Sequence, residues 1–86
     1  MGVSPAAVTF RRARTRWGSC SSNDRISLNL YLVMLPTELA EYVVVHELAH
    51  IVHKNHSPAF WERVARHLPD CKQRRKALRA YEIYLD

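Results

Sequence analysis

His46-Glu47-Leu48-Ala49-His50, with His56 six residues further on, combines residue types and spacings suited to hydrolysis at a bound metal ion. An α-helix turns every ~3.6 residues, so side chains four apart project from one face on adjacent turns. On such a helix His46 and His50 can converge on one zinc ion, whose bonds to imidazole nitrogen are about 2.0–2.1 Å. Glu47 follows the first histidine and points slightly around the helix. From there it can hold a metal-activated water without itself binding the metal. The bland alternative is a pair of hydrogen-bonded core histidines, and the surroundings weigh against it. Tyr42-Val43-Val44-Val45 precedes the motif and Ile51-Val52 follows it. Consecutive valines are poor helix formers, so a helix there must be buried on several sides. Buried imidazoles and a buried carboxylate need a partner, which a divalent cation supplies.

Hydrolytic zinc usually takes three protein ligands and leaves the fourth position to water. Four candidates stand downstream: His53, His56, Glu62 and His67. His53 shares the helical face of His46 but lies about 10 Å further along the axis. It reads as a helix-terminal residue or a group supporting the ligands. His67 reads as the polar end of a surface helix, and Glu62 is the runner-up ligand. His56 precedes Ser57-Pro58, where the proline disfavours helix at Ser57 and suits the first position of a new helix capped by that serine. The chain must therefore turn between about His53 and Ser57, and the turn can return His56 to the metal. His53 or Asn55 is expected to end the helix in a left-handed conformation, which both residue types tolerate. The spacing from His50 to His56 equals that of the long zincin motif H-E-x-x-H-x-x-G-x-x-H, with His53 at its glycine position.

Periodicity and punctuation outline the elements that carry these residues. Residues 1–9 read as a flexible lead-in and residues 10–86 as one domain. A strand is expected from Phe10 to Cys20, with Arg12, Arg14 and Arg16 on one side. Ser21-Ser22-Asn23-Asp24 is a turn by composition. From Arg25 to Val33, Ile26, Leu28, Leu30 and Leu32 alternate with Ser27, Asn29 and Tyr31, which predicts a half-buried strand and a β-hairpin. Pro36-Thr37 opens the metal helix. A second helix runs from Pro58 to about Leu68 and is stopped by Pro69. Asp70 caps a third from Cys71 to about Tyr84, with Ala77, Leu78, Tyr81 and Leu85 as packing positions. The fold class is α+β, a β-hairpin followed by three helices (β-β-α-α-α).

A chain of 86 residues builds one modest core, burying about 60–65% of its unfolded surface. No run of about 18 apolar residues suits a membrane span, and Met1-Gly2-Val3-Ser4-Pro5 lacks the hydrophobic stretch of a secretory signal. Cys20 and Cys71 form no C-x-x-C pair, so two reduced thiols and a cytoplasmic location are expected. The formal charge of +5 gathers in two clusters. One comprises Arg11, Arg12, Arg14 and Arg16; the other comprises Lys72, Arg74, Arg75, Lys76 and Arg79. Such runs are most often solvated faces; a nucleotide or nucleic-acid surface is the sharper alternative.

Four blocks together resemble the YgjP-like metal-dependent hydrolases, a family related to the SprT zincin-like metalloproteases. They are Arg16-Trp17-Gly18-Ser19-Cys20, Ile26-Ser27-Leu28-Asn29, Val43 to His50, and Asn55-His56-Ser57-Pro58-Ala59-Phe60-Trp61. The resemblance covers roughly residues 11–86. It implies a zincin-like minimal domain, Zn2+ on His46, His50 and His56, and Glu47 as general base. Members usually carry additional β-rich sequence before the Trp-Gly-Ser-Cys block, so the chain is expected to correspond to a catalytic core. Gly18 beside an indole reads either as a close approach of another backbone at a cleft wall or as relief of a clash with Trp17. Cys20 is given no catalytic role.

The expected function is a zinc-dependent metallopeptidase acting on a peptide or protein. The strand 26–33 would lie at the cleft edge and take an extended peptide as a further strand. Asn55, Tyr42 or Tyr81 would serve as oxyanion donor. Two alternatives stand beside it. The resemblance also links the family to nucleotide pyrophosphohydrolysis, for which the arginine clusters provide phosphate partners. The other is a non-catalytic, zinc-stabilised domain that binds nucleic acid or protein, although structural zinc sites usually have four ligands and are cysteine-rich.

Overall fold

Ile26 and Leu28 turn inward on either side of Ser27, and their strand, β3 (Arg25–Asn29), forms the middle of a three-stranded sheet. The structure, a computed structural model, describes residues 2–12 and 16–81. β1 (Ala7–Arg11) runs parallel to β3, with Ala7 opposite Arg25 and Arg11 opposite Asn29. β2 (Gly18–Cys20) runs antiparallel to it, with Gly18 opposite Leu28 and Cys20 opposite Ile26. The single strand expected from Phe10 to Cys20 is thus two strands on opposite sides of β3, and the first begins at Ala7. Residues 13–15, including Arg14, lie outside the described residues, as do residues 82–86 with Tyr84 and Leu85.

The expected hairpin is the β2–β3 pair. Its turn closes where the Asp24 N–H donates to the Ser21 carbonyl at 3.0 Å, with Asp24 at a φ of 61°, a conformation that aspartate tolerates. Lys54, beyond the helix that carries His46 and His50, donates to the Ser21 carbonyl at 3.3 Å and pairs with the Asp24 carboxylate. β3 stops at Asn29 instead of Val33 because the Asn29 side chain caps the next turn of the chain. Its Oδ1 accepts from the Tyr31 N–H at 3.0 Å, and its Nδ2 donates to the Arg16 carbonyl at 2.9 Å. Such side-chain bonds compete with the ladder, and Leu30–Met34 forms a 3₁₀ turn. Leu32 is buried there, whereas Leu30, expected on the inner face, is exposed.

Helix α1 (Thr37–Val52) has 16 residues and is about 24 Å long at ~1.5 Å per residue. Leu39, Tyr42, Val43, Val45, His46, Glu47, Ala49 and His50 are buried along it, the many-sided enclosure that its valines require. Helix α2 (Pro58–His67) starts as expected: Pro58 is in the first turn and Ser57 Oγ accepts from the Phe60 N–H at 3.3 Å. Phe60 and Val64 bury its inner face. Helix α3 (Cys71–Leu78) is followed by a 3₁₀ turn at Arg79–Tyr81, so it ends earlier than the spacing predicts. Leu78 is buried, while Ala77 and Tyr81 are exposed. Asp70 stands at the N-cap position without capping. Its carboxylate accepts from Arg74 Nε at 2.9 Å, and Arg74 Nη1 reaches Glu41 at 2.7 Å and the Glu38 carbonyl at 3.1 Å. That network ties α3 to α1. Both cysteines are free thiols. Among the described residues no helix is long and apolar enough to cross a membrane.

Candidate metal centre

His46 and His50 stand one turn apart on α1, and the chain then leaves the helix at His53 in extended conformation, with φ −124° and ψ 105°. It returns at Ser57-Pro58, and His56 lies on that return. The Nε2 atoms of His50 and His56 each lie 3.2 Å from His46 Nε2. The cluster's ligand atoms all fall within 4.8 Å of one another. Four donors placed tetrahedrally about 2.0–2.1 Å from a zinc ion are about 3.3–3.4 Å apart, so these imidazoles fit a divalent cation. His46 and His50 are buried and His56 is exposed, which leaves the cluster approachable from one side.

Neighbouring groups orient two of the rings. The Nδ1–H of His50 donates to the His53 carbonyl at 3.0 Å, which leaves Nε2 with its lone pair. The left-handed helix end expected at His53 or Asn55 is absent. Among the described residues Asp24 is the one non-glycine residue with positive φ. The extended backbone at His53 brings a carbonyl, and not its imidazole, into the site. Glu62 and His67 are exposed on α2 outside the cluster, and Glu62 pairs with Arg66 at 3.2 Å.

The Tyr42 hydroxyl lies 3.5 Å from His46 Nδ1 and is fully buried. Burial pushes its phenol well above the usual tyrosine range, so it stays a neutral hydroxyl. Tyr42 thus lies against the Nδ1 side of His46, and its hydroxyl is placed to orient that ring. Asn55 and Tyr81 are exposed, the first beside His56 and the second after α3.

Sequence reasoning passed over two aromatic residues at this site. The Phe60 ring is fully buried and stacks on His50, with centroids 4.4 Å apart and planes at 27°. It meets His46 and His56 edge-on at 4.9 and 5.1 Å. Trp61 lies nearly parallel to His56 at 5.8 Å, and the Arg75 guanidinium sits 4.8 Å over the indole. The available signal was their place in the first turn of α2, directly after the cap, which directs them back at the incoming chain.

Glu47 is fully buried beside the histidines. Gly18 explains how its carboxylate fits. A Cβ built on Gly18 would stand 3.0 Å from Glu47 Cγ, 3.2 Å from Oε2 and 3.3 Å from Cδ. The close approach expected at this glycine is therefore to a side chain, not to another backbone. β2 thus passes directly over Glu47, and β2 is an edge strand whereas β3 is paired on both sides. The expectation that the strand 26–33 would receive a peptide is overturned by that order. Backbone hydrogen bonds join Asn29 to Trp17 and Ser21 to Arg25. Antiparallel alternation then turns the N–H and C=O of Gly18 away from β3.

The basic residues divide between two places. Arg11, Arg12 and Arg16 line a cavity against β2 and β3, whereas Lys72, Arg75, Lys76 and Arg79 line a shallow groove along α3.

The family model described as "YgjP-like, metallopeptidase domain" matches residues 1–81. Among solved structures, the fold is similar to that of the metallopeptidase zymogen of Pyrococcus abyssi abylysin, with a TM-score of 0.84 and 22% identity. The alignment covers 96% of this chain and 86% of that one. No curated protein matches the chain.

Proposed function

The chain belongs to the YgjP-like metallopeptidase domain family, and from that premise we propose that it is a zinc-dependent peptidase. In this reading His46, His50 and His56 hold the ion and Glu47 is the general base. The observation that carries it is the pair of 3.2 Å separations around His46 Nε2, with the Glu47 carboxylate held alongside by Gly18. Zinc bound by three imidazoles polarises a carbonyl and lowers the pKa of a water from ~15.7 to ~7.

The protein's own groups supply the rest. With the ion held by the three histidines, Glu47 would take a proton from the attacking water at a carboxylate oxygen and give it to the leaving amine as the C–N bond breaks. Its enclosure keeps the carboxylate in one orientation, so little reorganisation is needed when the proton moves. The His53 carbonyl and the Tyr42 hydroxyl hold the rings of His50 and His46. An extended peptide adds to the side of β2 that faces away from β3, with the Gly18 N–H and C=O as partners. This pairing lays the scissile bond beside Glu47.

An unfolded protein substrate tests the assignment. The wild-type chain is expected to cleave it, and Glu47→Gln is expected to keep its metal while losing cleavage. Undiminished cleavage by Glu47→Gln would remove Glu47 from the base role.

A further inference from the structure

Arg11, Arg12 and Arg16 line a cavity of about 310 Å3 whose wall is completed by β2 (Gly18 and Ser19) and β3 (Ser27 to Asn29). By register, Arg11 is opposite Asn29 and Ser19 is opposite Ser27, so these positions share the sheet face turned away from Ile26 and Leu28. Among the described residues no carboxylate lines the cavity. Among the described residues the ion pairs use Lys54, Arg66 and Arg74, and none involves these three arginines. Three guanidinium groups gathered without a counter-charge repel one another and favour an anion between them.

The cavity and the metal centre share β2. Gly18 stands against Glu47 and, with the next residue, Ser19, also lines the cavity. A polypeptide paired along β2 sends alternate side chains to that same outer face, where the first to pass Ser19 meets the arginines. We propose that this cavity is a specificity pocket for an acidic side chain of the polypeptide substrate, close to the scissile bond. The arginines bind its carboxylate through charge-assisted forks, and Ser19 and Ser27 add hydroxyl donors. The proposal rests on the peptidase reading and on peptide pairing at β2.

Binding to the Glu47→Gln protein tests it apart from turnover. Fluorescence anisotropy compares labelled peptides that carry Asp or Asn at one site, with the site moved through successive positions. At one position Asp is expected to bind about tenfold tighter. The double variant R11Q/R12Q should abolish that preference, and R16Q alone, a milder change, should reduce it. K72Q/K76Q changes the net charge equally but lies on α3, and should retain it. Equal affinity for Asp and Asn at every position would overturn the pocket. So would an equal loss in the two double variants, which would reveal only general attraction to a basic protein. Displacement of the Asp peptide by a nucleoside triphosphate at lower concentration than by the unlabelled peptide would overturn it in favour of a phosphate site. Cleavage of unfolded protein by the wild type is scored separately. Its absence counts against the peptidase reading, whereas equal binding alongside intact cleavage defeats the pocket alone.

Discussion

Gly18 and Glu47 occupy one another's space: a β-carbon at position 18 would come within 3.0 Å of Glu47 Cγ and 3.2 Å of Oε2. These contacts are tighter than most real Cβ atoms make, so β2 or the carboxylate must give by a few tenths of an ångström to admit one. Gly18→Ala is therefore expected to lower kcat for peptide cleavage by several-fold, short of the ~10²-fold that a 1 Å misplacement costs. Metal content should be unchanged, because Gly18 supplies no ligand atom to the histidine cluster. Wild-type kcat in that variant, measured alongside metal analysis, would show that the Glu47 position is not critical.

Tyr42→Phe removes a hydroxyl 3.5 Å from His46 Nδ1 and leaves the ring in place. The contact is long, so metal affinity should fall toward the lower end of the ~10–100-fold range typical of groups that orient a ligand. Competition with a chromophoric chelator measures it. A thermal midpoint close to wild type in the metal-free protein would assign the loss to the site and not to the fold.

Phe60 joins the core to the metal centre, being fully buried and stacked on His50. Phe60→Ala should destabilise the domain by about 3–5 kcal/mol and loosen metal binding with it. Phe60→Leu, which keeps most of the volume, should recover much of the stability but not the flat surface beneath His50. Urea unfolding with and without chelator separates the two contributions.

Arg74 ties the start of α3 to α1 through Glu41, Asp70 and the Glu38 carbonyl. Both carboxylates are substantially exposed, at 53% and 47%, so solvent and salt screen much of the attraction. Arg74→Gln should lower the Tm at low ionic strength, and the deficit should shrink in high salt. A salt-independent deficit would point to lost packing of the arginine stem.

The histidine cluster was legible in the sequence because its logic is local. The four-residue spacing of His46 and His50 holds on any helix, and Ser57-Pro58 requires a turn that returns His56. The sheet was less legible. Alternation in residues 25–29 marks a strand but not its neighbours, and the parallel pairing of β1 is a long-range choice. Nothing local therefore reveals that β3 is central and β2 is the edge. Side-chain competition also escaped the pattern. Asn29 ends β3 early by capping a 3₁₀ turn, and Asp70 gives its carboxylate to Arg74 where the sequence suggests a helix cap. Gly18 was recognisable as a close approach, but its partner Glu47 lies 29 positions away.

His46, His50 and His56 are expected to hold one metal ion jointly, and the metal content of dialysed protein checks this. Wild type and Glu47→Gln should each retain about one zinc per chain, while His46→Ala and His56→Ala, still folded by circular dichroism, should lose it. A His56→Ala protein that keeps stoichiometric zinc at wild-type affinity would contradict the account.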